Sequence, residues 1–416
     1  MAETEPGVVI VGAGHAGGSV AAFLRQYGYT GSITLIGEEP IAPYQRPPLS
    51  KAWLKGEADA EALMLRPDSF YAENAITLHL STTVERIDRM RKVVIVANGG
   101  EISYAHLILA TGARARWITL AGLDLQGVLE LRTAADADKL KAALGPGKRL
   151  AVIGGGYIGL EAAASARALG AEVTVIERET RVLARVACEP LSNFFQAYHR
   201  AHGVHFALSA GVEAIVGADG RATGVKLADG AVIAADAVLV GVGAQPNQEL
   251  ASAAGIECND GILVDLDART SDPLIFAIGD CTRRPMPIYG GRAHRLESVP
   301  NALEQAKQAA SAIVGKASPP GEVPWFWSDQ YDLKLQIAGL PFDAVEIVIR
   351  GDATYAPGRP PHFAVFHLDA AHNVQAVEAI NAGPEFMAGR LLIGQRKAVA
   401  PDKLRDMSVS MKEVAA

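Results

Sequence analysis

An α/β fold in three parts is predicted for this chain: two like halves followed by a smaller C-terminal α+β domain. Three observations predict it. First, residues 7–38, GVVIVGAGHAGGSVAAFLRQYGYTGSITLIGE, and residues 149–177, RLAVIGGGYIGLEAAASARALGAEVTVIE, share one pattern. Each is a short apolar run, a Gly-rich turn, an alanine-rich helical stretch and a β-branched run ending in an acid, which reads as βαβ. Second, each βαβ is followed by strands of a β-meander and a strand that returns to its sheet. Val93–Val96, the Asn98-Gly99-Gly100 turn and His106–Ala110 do this in the first half, and residues 222–247 do it in the second. Third, beyond the linker Pro319-Pro320-Gly321, the short apolar runs LKLQIAGL, AVEIVIRG, HFAVFHL and VQAVEAI precede a helical tail, as in an antiparallel sheet with helices at one side. Two Rossmann-type nucleotide-binding domains, each with a β-meander, are therefore expected ahead of the α+β domain.

The first half is interrupted. Residues 262–281, ILVDLDARTSDPLIFAIGDC, read as strand, connection and strand ending in Gly279-Asp280, and a helix is expected over Val299–Val314. These elements return to the first sheet. The expected domains are thus 1–115 with 248–321, then 116–247, then 322–416. Two to three domains suit 416 residues at about 100–200 residues each.

Composition narrows the function. A net charge of −7 argues against a general nucleic-acid binder, which presents a basic stripe. No apolar run approaches the roughly 20 residues that span a bilayer, and MAETEPG lacks the features of a secretory signal. A cytoplasmic monomer is expected, with no membrane or nucleic-acid partner. Cys188, Cys258 and Cys281 are far apart and form no CxxC or CxxxxC pair, so neither a disulfide framework nor a zinc ribbon is expected, and no metal.

Two fingerprints carry the chemistry. In Gly12-Ala13-Gly14-His15-Ala16-Gly17 the first Gly permits the tight turn. The second lets backbone approach a pyrophosphate, and the third lets helix and strand pack closely. The helix N-terminus supplies free N–H groups and a positive dipole end. Glu38 closes the second strand about 20 residues on, placed to accept from ribose hydroxyls. Gly154, Gly156, Tyr157 and Ile158 belong to the second fingerprint, Gly154-Gly155-Gly156-Tyr157-Ile158-Gly159, with Glu177 as its terminal acid. An acid there favours an unphosphorylated ribose, hence NADH over NADPH, with Arg178 and Arg181 close enough to temper the preference. FAD is assigned to the first unit, where an Asp at a strand end, Asp280, suits a ribityl hydroxyl. The continuous second unit suits an exchangeable nucleotide.

With these residues in view, the chain resembles the putidaredoxin-reductase-like family of NADH-dependent ferredoxin and rubredoxin reductases, FAD enzymes of the glutathione-reductase-type fold. The resemblance rests on residues 44–51 (YQRPPLSK), Ala110-Thr111-Gly112, Gly243 with Pro246-Asn247, residues 270–273 (TSDP), residues 277–281 (AIGDC), residues 297–302 (ESVPNA) and residues 324–330 (PWFWSDQ). It runs from residue 7 to about residue 350. It implies that Ala16, Glu38, Arg46, Lys51, Val84, Arg132, Asp280 and Val299 contact FAD. Gly12, Gly14, His15, Ala110, Thr111, Gly112, Gly279 and Glu297 belong to the same site, and Gly243 joins the NAD site. Trp327 either covers the flavin edge or packs in a core.

The resemblance also implies that Glu161 pairs with Lys51 beside the isoalloxazine, where a fixed lysine stabilises negative charge arriving on the ring. The plainer readings are a solvated loop lysine and a first-turn glutamate. Without a cysteine pair to reduce a disulfide, electrons are expected to leave for a separate protein or for dioxygen; the resemblance implies a [2Fe-2S] ferredoxin that supplies a cytochrome P450 or another monooxygenase. Arg283, Arg284, Arg292 and Arg295 are read either as a basic rim for that partner or as a solvated loop. The alternatives are a rubredoxin reductase, an NADH oxidase, a monodehydroascorbate reductase, and an NADH-switched flavoprotein of the apoptosis-inducing-factor type.

Overall fold

The computed structural model describes residues 6–415, and by internal packing the chain forms two compact units. Among the described residues the first holds 6–45, 60–114 and 245–324; the second holds 46–59, 115–244 and 325–415. Among the described residues no helix is long and apolar enough to cross a membrane.

In the first unit the strand Gly7–Val11 lies between Ile33–Ile36 and Glu101–Leu109, parallel to both, and Ile76–His79 extends the sheet beyond Ile33–Ile36. Gly7–Val11 is buried throughout, as befits a parallel strand covered on both faces. The antiparallel strands Val84–Asp88 and Val93–Val96 continue the sheet from Glu101–Leu109, forming the expected meander. Far downstream, Ile275–Ala277 pairs parallel with Glu101–Leu109, so the interrupted half closes on its own sheet. The helices His15–Gln26 and Val299–Ile313 share one core. Ala16, Val20, Ala21 and Leu24 meet Ala302, Ala306, Ala309 and Ala310, and these small side chains let the backbones approach closely.

In the second unit the parallel order is Val204–Ala207, Glu172–Ile176, Arg149–Ile153, Ala237–Val240 and Val128–Leu129. The strands Val212–Ala218, Arg221–Leu227 and Val232–Ala234 form a separate antiparallel meander. The C-terminal sheet is antiparallel, in the order Trp325–Gln330, Leu333–Gly339, Val374–Ile380, Phe363–Leu368, Glu346–Gly351. One apolar core is continuous from the Rossmann half into this sheet: Leu160, Phe194 and Phe195 are clustered with Leu335, Phe363 and Val365. Residues 46–59 lie in the span expected for the flavin half, yet Leu54 joins this same core.

A buried arginine pins the C-terminal helices to the last sheet. Arg350, 3% exposed, is paired with Glu385 at 3.3 Å and donates to the carbonyls of Leu404, Asp406 and Val409. Removing one partner of a buried pair leaves an uncompensated charge, so Arg350→Ala is expected to cost about 3–5 kcal/mol. The measurement is the denaturant midpoint; a shift equivalent to less than about 1 kcal/mol would show that the pin is dispensable.

Candidate active site

The two fingerprints fold alike in the constraints on their first and last glycines. Gly12 and Gly154 have φ of +112° and +109°, and a Cβ on either would collide with a backbone oxygen, that of Ala110 and of Gly241 respectively. A Cβ on Gly17 or Gly159 would collide with the carbonyl of Gly12 or Gly154, where the helix crosses the turn. Gly14 and Gly156 differ: nothing lies within 4 Å of a Cβ built on either. Both are N-caps of helices whose first turns receive no side-chain cap. Each turn thus presents uncapped N–H groups to open space at the position where a pyrophosphate binds.

In the first unit, the His15 Nδ1 is buried without a hydrogen-bond partner from the protein. Burial lowers the His15 pKa, partly opposed by the Asp280 carboxylate. A Cβ on Gly279 would lie 3.1 Å from that of Ala16, which places the downstream strand end against the fingerprint helix. Gln305 holds that end: its Oε1 accepts from the Gly279 N–H at 2.8 Å and from the Thr282 hydroxyl at 2.9 Å. Thr111 and Asn247 are locked reciprocally, the Thr111 hydroxyl to the Asn247 carbonyl at 2.6 Å and the Asn247 amide to the Thr111 carbonyl at 2.8 Å. Ala110 is buried, Gly112 adjoins that lock, Glu38 is exposed, and Val84 packs against the first-unit core. Val299 opens a helix capped by Ser298, whose hydroxyl accepts from the Asn301 N–H. Glu297 is exposed and ion-paired with Arg295. The open Gly14, the orphaned His15 nitrogen and the acid beside it fit the pyrophosphate and ribityl parts of FAD.

In the second unit Glu177 is occupied in holding the turn. Its carboxylate accepts from the Gly155 N–H at 2.7 Å and from the Glu179 N–H at 3.0 Å. Tyr157 donates to the Val186 carbonyl and meets Phe326 edge to face at 5.0 Å, while Ile158 is half exposed beside Gly156. Arg181 is turned inward: it donates to the Ala184 and Ala187 carbonyls and to Ser192. Arg178 is exposed and paired with Glu179. Gly243 lies with its would-be Cβ 3.9 Å from Arg185. Arg181 is therefore committed to carbonyls and to Ser192, and the acid Glu177 holds the turn; this donor set fits NADH. Glu177→Ala is expected to raise the KM for NADH about 10-fold, equivalent to one hydrogen bond to a charged group. An unchanged KM would remove Glu177 from recognition.

Lys51 and Glu161 meet in this unit at 2.6 Å, with Lys51 18% and Glu161 3% exposed. Two hydroxyls complete the grip on the carboxylate, Ser50 at 2.5 Å and Ser328 at 2.6 Å. Lys51 also donates to the Pro47 carbonyl at 3.2 Å, and Ser165 anchors the Ser50 carbonyl at 2.7 Å. The glutamate carries three charge-assisted contacts, and the ammonium is held in one position. Ser50 and Ser328 were not singled out from the sequence. Their signal was present in the motifs around them: a hydroxyl beside the lysine, and the strand alternation of residues 324–330.

Arg46 donates to the Arg132 carbonyl at 2.6 Å, bringing those two together. Trp327 shares a strand face with Trp325, ring centroids 5.7 Å apart, and so points away from the face on which Ser328 reaches Glu161. The four-arginine rim is not what folds. Arg284 is 2% exposed, paired with Glu304 at 2.6 Å, and Arg295 is tied to Glu297 and Asp260. Arg283 is half-buried and Arg292 exposed. Spacing in a sequence does not reveal which arginines in a strand and turn point inward.

Two dinucleotide frames, one with a buried Lys–Glu pair in its unit, define a flavin-dependent pyridine nucleotide oxidoreductase. The family model described as pyridine nucleotide-disulphide oxidoreductase matches residues 6–306, and that described as reductase C-terminal matches residues 325–415. The chain belongs to this family and is an FAD-dependent oxidoreductase that uses NAD(H). It is 52% identical to the probable ferredoxin reductase CtmF of Castellaniella defragrans, over 98% of each chain. It is 44% identical to rhodocoxin reductase of Rhodococcus erythropolis, covering 97% of this chain and 93% of that one. Among solved structures, the covalent putidaredoxin reductase–putidaredoxin complex matches at a TM-score of 0.95 and 41% identity, over 99% of this chain and 98% of that one. Despite the family's description, the cysteines Cys188, Cys258 and Cys281 are all free, and Cys281 is wholly buried.

Proposed function

We propose that this chain is an NADH-dependent ferredoxin reductase that delivers electrons to a [2Fe-2S] ferredoxin serving a cytochrome P450 or another monooxygenase. The observation that supports this most is the likeness, along almost the whole chain, to a reductase solved with its redoxin. The chemistry that bound FAD would supply is acceptance of hydride from NADH and one-electron release to a carrier. The chain's own residues bind, orient and neutralise. The first-unit fingerprint with His15 and Asp280 holds the flavin nucleotide, and the second with Glu177 holds NADH. Lys51 is the catalytic cation, and Ser50, Ser328 and Glu161 keep it in place. The proposed domains are residues 1–115 with 248–321 for FAD, 116–247 for NADH, and 322–416 for the C-terminal part. The proposed setting is a cytoplasmic monomer.

The test is NADH-driven cytochrome c reduction with a panel of purified carriers. A [2Fe-2S] ferredoxin is expected to stimulate the rate at least about 10-fold over the carrier-free enzyme, a gain of one RT ln 10 in effective barrier. Equal rates with and without carrier, or stimulation by rubredoxin alone, would overturn the ferredoxin reading.

A further inference from the structure

Three side chains unused by this chemistry converge in the second unit. Cys188 caps the helix Glu189–Ala201, His367 stands on Phe363–Leu368 and Glu378 on the adjoining Val374–Ile380. Because Glu378 pairs with Val365, His367 is its diagonal neighbour on the same sheet face. The Cys188 thiol lies 2.9 Å from Glu378 Oε2, and His367 Nε2 lies 3.2 Å from Glu378 Oε1. All three ligating atoms are within 4.8 Å of one another. His367 and Glu378 are 6% and 3% exposed. Although close to the carboxylate, the His367 nitrogen is not aligned to bond it and has no hydrogen-bond partner. A buried imidazole nitrogen left unsatisfied within 4.8 Å of a thiol and a carboxylate calls for a ligand.

We propose that Cys188 Sγ, His367 Nε2 and Glu378 bind one zinc ion. Thiolate, imidazole and carboxylate together are a zinc donor set; magnesium and calcium take oxygen ligands instead. A thiolate and a carboxylate carry two negative charges that a divalent ion cancels, which leaves a neutral centre suited to burial. Half-buried Cys188 leaves solvent the remaining tetrahedral position. Binding releases the Cys188 thiol proton to solvent, and His367 binds as the neutral ring. Burial and the Glu378 carboxylate hold the thiol protonated, Arg181 opposes them, and Tyr157 is the other titratable group facing the cluster. Cys188 and Glu378 are 190 residues apart, so no spacing motif announces the site.

Purified flavin-loaded enzyme, dialysed against a chelator and then titrated with zinc chloride against a chromophoric competitor, tests this. The expected result is one zinc per chain, with Cys188→Ser, His367→Gln and Glu378→Gln each weakening binding at least about 10-fold. Flavin absorbance and far-UV circular dichroism report whether each variant is folded. Absence of a stoichiometric zinc in the parent enzyme overturns the site, as does undiminished binding in folded variants. If the sheet variants fail to fold, Cys188→Ser decides alone. Cobalt gives a second reading: its thiolate charge-transfer absorption, taken as a difference against the flavin, is expected in the parent and lost in Cys188→Ser. Retention of that band in Cys188→Ser would equally overturn the assignment.

Discussion

Replacing Lys51 with Met is expected to slow reduction of the bound flavin by NADH about 100-fold, the usual cost of removing one group that stabilises charge developing in a transition state. Methionine keeps the apolar stem of the side chain and removes only the ammonium that sits 2.6 Å from Glu161. Stopped-flow absorbance is the measurement, because it isolates reduction from later electron export. Glu161, 3% exposed, would lose its cationic partner in Lys51→Met while keeping the hydroxyls of Ser50 and Ser328. Stability should therefore fall with the single variant and recover in Lys51→Met combined with Glu161→Gln, where no unpaired charge remains buried. The rate should not recover in that double variant. A reduction trace equal to the parent's would remove Lys51 from the chemistry. Rate and stability recovering together would make the pair merely structural.

The second large effect separates two glycines of one fingerprint. Gly156→Val is expected to fold and bind flavin normally, because nothing stands within 4 Å of the added Cβ. The side chain would instead occupy the space kept for the NADH pyrophosphate. NADH-driven reduction at fixed NADH should drop about 100-fold, on the scale of a displaced reactant, while dithionite still reduces the flavin. Gly159→Ala should behave in the opposite way. Its Cβ would press on the Gly154 carbonyl where helix crosses turn, so the melting temperature should fall before any kinetic effect is considered. Forcing such a contact typically costs about 1–3 kcal/mol. If Gly156→Val reduced as fast as the parent, the open space above this turn would not be the nucleotide site.

Much of the site was legible in the chain because its parts are local. A turn that needs a Cβ-free residue at the first, third and sixth positions leaves its mark in six consecutive letters. The terminal acids Glu38 and Glu177 follow at the length of one helix and one strand. The Gly279-Asp280 strand end was legible as well, since a short apolar run closing in Gly-Asp reads as a strand and its end. What was not legible was inward or outward direction at isolated polar positions. Arg181 read as a cation near the nucleotide acid, and Arg284 as one of a basic rim or a solvated loop. The fold turns the first onto loop carbonyls and buries the second against Glu304.

By itself, then, the amino-acid order determined the two βαβ frames, the places where phosphates can approach, and the absence of a cysteine pair. These follow from periodicity and glycine sterics, which act within a dozen residues. Tertiary structure alone decided how Glu161 is gripped by Ser50 and Ser328, and which arginines reach solvent. It also brought Cys188 to His367 and Glu378. Those outcomes depend on side chains from distant segments meeting in the interior, where most buried polar atoms find a partner. No local pattern encodes such a meeting.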